Sequence, residues 1–215
     1  MKTKLLSFAS MLAAFNLNAI EIGPTGSGAT LGGFADYSVK SQGDSTSPVQ
    51  TVEVELNLDF STGPVAFSFD ADFEGGEDGN GQSGTSLEEA VVTYTLNDNL
   101  STSVGLMLSY LGFEAYDAPN MYQFSYAYDY AKTNSTNPDS PGNDVYDAYT
   151  TGVSLDYASD DFSIGIWTDV GEKPSWEYAF AYTGIENFTA KAIFGDYGGD
   201  ADEIMTLWAS YQVGS

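Results

Sequence analysis

The 215-residue chain has no arginine, no histidine and no cysteine, and its only basic side chains are six lysines. Without histidine or cysteine there is no Ser-His-Asp or Cys-His nucleophile, no imidazole or thiolate metal site, no disulfide framework and no redox thiol. Six cations against 31 acids leave a formal net charge of −25. Such a surface repels a polyanion, so nucleic acid is not an expected partner. Nor is there, beyond the amino terminus, any run of the ~20 continuous apolar residues that a membrane helix requires.

Aromatic residues are plentiful, with 15 tyrosines and 13 phenylalanines, and glycine occurs 23 times. An acidic chain poor in aromatics would read as disordered; this one reads as a folded, β-rich protein.

The first 19 residues, MKTKLLSFASMLAAFNLNA, have the form of an export signal. Lys2 and Lys4 supply a positive start, Leu5 to Phe15 an apolar stretch, and Ala19 a small residue at a cleavage point. The helix-breaking run Gly23-Pro24-Thr25-Gly26-Ser27-Gly28 follows directly. The expected organisation is a signal peptide over 1–19 and one domain over 20–215.

That domain is written in period two. Val52-Glu53-Val54-Glu55-Leu56-Asn57-Leu58-Asp59-Phe60 alternates apolar and polar residues without a break. In Val65 to Phe73, Phe67, Phe69 and Phe73 fall on one side, Ser68, Asp70 and Asp72 on the other. A strand separates these sets cleanly, whereas a helix scatters them. Weaker alternation predicts strands near 29–39, 90–96, 100–110, 148–157, 162–170, 176–184, 188–197 and 204–213. Most reach the ~9–11 residues a tilted strand needs to cross a bilayer, against about 5–6 in an ordinary sheet.

Connections alternate too. Short ones lie at 61–64, 97–99, 159–161 and 185–187, longer ones at 40–48, 74–86, 171–175 and 198–202. Short turns on one side and long loops on the other are the habit of membrane barrels, as are aromatics near strand ends, here Phe60, Phe73, Tyr94, Tyr110, Tyr157, Phe162 and Phe188. By parity, residues 111–147 must start and finish at the same rim. That stretch is either a loop folded inward or an even number of extra crossings, such as a hairpin built on the aromatic run 121–130.

The expected fold is therefore an all-β, antiparallel up-and-down transmembrane β-barrel of about 10–12 strands, with an inward-folded segment near 111–147. In lipid a closed barrel pairs every backbone group. The polar face then lines a water-filled lumen, and Glu53, Glu55, Asp59, Asp70 and Asp72 are the expected pore-lining residues. Asp36, Asp156, Asp169 and Glu177 are further members, and Lys191 is the main opposing cation. Collectively such acids enrich cations and repel anions; any one of them could equally serve only to solvate the interior.

Other chemistry finds little support. Paired acids such as Asp70 and Asp72 could serve a glycosidase, but acids are too common here for the pairing to carry information. Glu74-Gly75-Gly76-Glu77-Asp78-Gly79-Asn80-Gly81 fits a calcium loop in no register. No catalytic residue, no cofactor and no metal site is expected.

The segments LGFEAYDAPNMYQFSYAYDY (111–130), TTGVSLDYASDDFSIGIWTDV (150–170) and YTGIENFTAKAIF (182–194), with the leader and the alternating strands, resemble the OmpL-like porin-2 group of β-barrel porins. The resemblance is one of pattern and order and spans most of the mature chain. It implies an outer-membrane barrel acting as a passive channel, with Glu114 and Asp117 on an inward constriction loop after Gly112-Phe113-Glu114. Members of that group are longer, and this chain stops at Ser215 without a terminal aromatic, so it reads as a fragment whose strands need not close a complete pore. The absence of arginine also departs from porin constrictions that set arginines against acids.

The function expected is passive diffusion of small hydrophilic solutes across the outer membrane of a Gram-negative-type envelope, with a preference for cations. The partners expected are outer-membrane lipid and those solutes or cations. A homo-oligomer is compatible with the sequence, which does not fix the oligomeric state. Two other readings stay open: a non-conducting structural or adhesive surface barrel, and a secreted soluble β-sandwich that binds glycans.

Overall fold

The computed structural model describes residues 10–40, 49–77, 84–112, 149–172, 174–197 and 203–213. Among them the chain is all-β and contains no α-helix. The strands are β1 (Ser10–Glu21), β2 (Ala29–Lys40), β3 (Val49–Thr62), β4 (Val65–Glu77), β5 (Gly84–Asn97) and β6 (Leu100–Leu108). After a 3₁₀ turn at Tyr110–Gly112 come β7 (Tyr149–Ala158), β8 (Phe162–Thr168), β9 (Trp176–Ile185), β10 (Phe188–Asp196) and β11 (Ile204–Tyr211).

All eleven succeed one another in chain order in one antiparallel sheet. The sheet is not closed: β1 and β11 end the order, and no pairing joins them among the described residues. The ten strands predicted from alternation are all present. The two with the cleanest pattern, β3 and β4, run to 14 and 13 residues. β5 begins six residues before the predicted strand at 90–96, because Leu87-Glu88-Glu89-Ala90 sets two acids side by side and breaks the alternation there.

The chain forms two compact units, the first holding the strands up to Phe60 and Ser68–Glu88, the second Ser61–Phe67 and everything described from Glu89 onward. In the first, β2 and β3 pair in continuous register, with Asp36 opposite Glu53 and Phe34 opposite Glu55. Gly33 sits mid-strand at φ +144°, where a Cβ would run into the carbonyl of Glu55.

Residues 10–19, expected to belong to a leader, pair here with β2 as most of β1. Cleavage after Ala19 would strip β2 of that partner and leave its edge open. Intact-mass measurement of the protein purified from cells that express the full sequence is expected to place the mature amino terminus at Ile20. A mature chain still carrying Met1 would mean that β1 stays in the sheet and that the leader reading is wrong.

In the second unit β6 pairs directly with β7, Leu108 opposite Tyr149, so 109–148 leaves and re-enters at one end of the sheet. The aromatic run 121–130, expected either in an inward loop or in an extra hairpin, lies outside the described residues. Of the intervening segment the described part is its start, Ser109–Gly112, which turns onto the polar face instead of continuing β6. Tyr110, expected at the end of a strand over 100–110, therefore sits in the turn, its hydroxyl donating to Asp156.

The two faces differ throughout. On β3 and β4 the exposed apolar side chains are Val52, Leu56, Leu58, Phe60, Phe67, Phe69 and Phe73. On β7 to β9 they are Val153, Leu155, Tyr157, Ile164, Ile166, Trp176, Tyr178 and Phe180. Phe162 lies among the last set, its ring 5.8 Å from Tyr157 and 6.3 Å from Phe180. Phe67 is 42% exposed and Ile164 44%, values no soluble core would tolerate. On the other face the buried side chains are both polar, Asp36, Glu55, Asp72, Ser109, Ser154 and Glu177, and apolar, Phe34, Met107, Leu111, Trp167 and Ile193.

Candidate functional site

The polar face carries two clusters, one in each unit. In the first unit three strands each contribute a carboxylate: Glu55 from β3, Asp72 from β4 and Glu88 from β5, with one oxygen of each lying within 4.8 Å of the others. Glu55 and Asp72 are buried. Glu53, two residues from Glu55 on the same face, interacts with both Asp36 and Asp72. The Asn57 amide donates a hydrogen bond to Glu55. Five acids thus gather on one patch of the sheet.

Period-two spacing explains why each strand sends its acid to this face; antiparallel register explains why the acids from neighbouring strands meet. Hard oxygen ligands at this spacing could hold a cation such as Ca²⁺, although acidic groups also gather without one. No metal site was expected because no stretch of sequence has a ligand spacing, and three acids from three strands present none.

Of the five residues expected to line a pore, Glu53, Glu55 and Asp72 belong to this gathering and two do not. Asp59 is exposed near the β3–β4 turn and accepts a hydrogen bond from the Ser68 hydroxyl at 3.0 Å. Asp70 is half-buried on the same face as Asp72 and is not among the gathered groups. Glu88 was missed, since the double acid at 88–89 obscured its strand. Glu114 and Asp117 lie outside the described residues.

The second cluster centres on Glu177 of β9, 1% exposed and the most deeply buried large side chain among the described residues. Its Oε1 accepts from the Ser109 hydroxyl at 2.7 Å and the Tyr197 hydroxyl at 2.6 Å; its Oε2 accepts from the Tyr110 backbone N–H at 2.7 Å. Nearby, Asp156 of β7 accepts from the Tyr110 hydroxyl at one oxygen and from the Ser154 hydroxyl, at 2.6 Å, at the other.

These acids answer a specific need. As β6 leaves the sheet its N–H groups lose their ladder acceptors, and a buried donor must find another. Leu108 N–H takes the Glu89 carboxylate at 3.1 Å, Tyr110 N–H takes Glu177, Leu111 N–H takes the Ser109 hydroxyl at 3.1 Å, and Gly112 N–H takes the Ser109 carbonyl at 2.9 Å. Burial, then the hydrogen bond to Asp156, pushes the Tyr110 phenol well above its usual range, so it stays a donor.

Apolar contact completes the seat. Leu111 packs on Ile193, with Tyr110, Ala179, Tyr197 and Ile204 around them. Gly165 provides the space: a Cβ there would meet the Tyr110 hydroxyl at 2.5 Å. Trp167, opposite Glu177 across the β8–β9 ladder, is buried with its indole Nε1 lacking an acceptor among the described residues.

Glu177 and Asp156 had been expected only as minor wall residues. Their role was invisible because every partner lies at least 46 residues away, apart from Tyr197 and Ser154. Lys191, the expected opposing cation, lies half-buried on β10 with its Nζ 5.6 Å from the centre of the Trp208 ring. No family model, no curated protein and no solved structure matches this chain.

Proposed function

We propose that the chain forms a membrane-spanning β-barrel of the outer membrane, a porin-like channel passing small hydrophilic solutes with a preference for cations. One observation carries this reading: the sheet is inside-out for a soluble protein, with large apolar side chains exposed along one face and acids buried on the other. Fatty acyl chains satisfy the first face and water or cations the second, while closure of the sheet satisfies its backbone edges. The described strands all belong to one sheet, and no second layer of strands covers the apolar face among them, which counts against a sandwich. The leader, the strand lengths and the resemblance to OmpL-like porins point the same way.

The second reading, a barrel that does not conduct, draws on the seat of the Ser109–Gly112 turn. Leu111, Ile193 and Trp167 are buried on the polar face, where an open lumen would be wet.

The test is fractionation followed by electrical recording. The protein is expected in the outer-membrane fraction, soluble only with detergent, and faster on a gel before heating than after. In planar bilayers under a KCl gradient it is expected to give conductance steps whose reversal potential reports potassium preference. Recovery in soluble extract would overturn the membrane reading. A heat-modifiable fold without conductance would decide for the second.

A further inference from the structure

We infer that Glu177 is the positioning residue for the turn that opens the long β6–β7 connection: it holds Ser109–Gly112 against the polar face and so sets the width of the passage there. The second half of this statement rests on the channel reading; the first does not.

A carboxylate wholly withdrawn from water must be compensated, and among the described residues Glu177 has no cation as a hydrogen-bond partner. Its three donors are neutral, and two of them, the Ser109 hydroxyl and the Tyr110 N–H, belong to the turn. The third, the Tyr197 hydroxyl, comes from the residue just after β10. Glu177 thus ties the start of the β6–β7 connection to the start of the one between β10 and β11. A wall residue whose only role was to attract cations would face water; this one is used up by the chain itself.

The remaining contacts of the turn would not hold it alone. Leu111 against Ile193 is a small apolar contact, and the Tyr110–Asp156 bond fixes a side chain and not the backbone. Glu177 takes both a backbone donor and the hydroxyl that itself accepts from Leu111 N–H. Remove the carboxylate and one buried donor, the Ser109 hydroxyl, and two half-buried ones lose their acceptor together. The cheapest relief is for the turn to lift into water.

The absence of cysteine from the natural chain makes a clean probe available. Leu111→Cys places one thiol beneath the docked turn, and Ala71→Cys places one at a buried position of β4, in the other unit. Each is labelled with a maleimide in detergent-folded protein, with Glu177 intact and with Glu177→Leu. Loss of three hydrogen bonds to a charged acceptor is expected to speed labelling at position 111 by about ten-fold or more and leave labelling at position 71 unchanged. In bilayers the same variant is expected to show larger, noisier conductance steps.

If the thiol at position 111 labels at the same rate without Glu177, the anchor is disproved. Faster labelling with unaltered conductance steps would keep the anchor and overturn its effect on the passage. Silence of both proteins in the bilayer would defeat the channel reading, while the labelling still decides the anchor. Should Glu177→Leu expose position 71 too, the sheet has failed, and Glu177→Gln with Tyr197→Phe replaces it. That milder pair keeps one acceptor oxygen and is expected to speed labelling at position 111 about three-fold, with no change again counting against the anchor.

Discussion

Replacing Glu53, Glu55, Asp72 and Glu88 together by their amides is expected to abolish potassium preference in 0.1 M salt and to raise the thermal stability of the folded protein. The two effects have one cause. Two unit charges within 4.8 Å of each other repel by at least about 3 kcal/mol at an effective dielectric constant near 20. Holding three carboxylates at that spacing, with Glu53 and Asp36 beside them, therefore costs folding free energy. Side chains kept for stability would behave oppositely, and amides would weaken the fold.

In the proposed channel the same crowding is expected to concentrate negative potential where neighbouring low-dielectric strands focus it, with cation enrichment of about ten-fold or more. Screening sets the conditions. The Debye length falls from about 10 Å at 0.1 M to about 3 Å at 1 M, so the wild-type preference is expected to fade at high salt. The amide variant is expected to be flat at both concentrations. An unchanged reversal potential in 0.1 M salt would remove this cluster from the permeation pathway, and a lower melting temperature would make it a structural feature.

A second large effect is expected from one methyl group. Gly105 stands in β6 at φ +143°, opposite Val91 on β5 and Gly152 on β7. A Cβ there would overlap the Ala90 carbonyl, which belongs to the paired backbone and cannot move aside without breaking the ladder. The conformation alone costs a non-glycine residue of order 1–3 kcal/mol, before the clash is counted. Gly105→Ala is therefore expected to lose the heat-modifiable form almost completely. Gly75→Ala is its control: nothing lies within 4 Å of a Cβ at that position, and the variant is expected to fold as the natural chain does. Equal behaviour of the two variants would show that β6 tolerates a shift of backbone and that the strained glycine is dispensable.

How far the sequence can be read follows from what each feature depends on. Strand identity was legible because a strand's side chains alternate within a few residues, as Val52 to Phe60 do, and nothing distant is required. The sorting of acids to one face and large apolar groups to the other came with it, and so did the return of 109–148 to one end of the sheet, since the direction of each strand follows from counting. Three of the five acids expected to act together, Glu53, Glu55 and Asp72, do gather with Asp36.

What stayed hidden depends on register and on chain bending. Period two says which face a residue takes but not which residue of the next strand it meets. Glu88 joins Glu55 and Asp72 only through the pairing of separate strands. Glu177 meets Ser109 and Tyr110 across 68 and 67 residues because β6 stops at Leu108 and the chain folds back over β9. The alternating pattern alone carried Tyr110 onward with the strand. The glycine at 165 and the buried carboxylate at 177 together make the seat into which it turns, and residues so far apart in the chain share a surface only once the sheet has formed. Local periodicity determined the strands, their two faces and the sign of the charge on one of them. Tertiary structure decided which acids crowd together and which are consumed as acceptors, because a hydrogen bond needs its partner within about 3 Å and sequence distance says nothing of that.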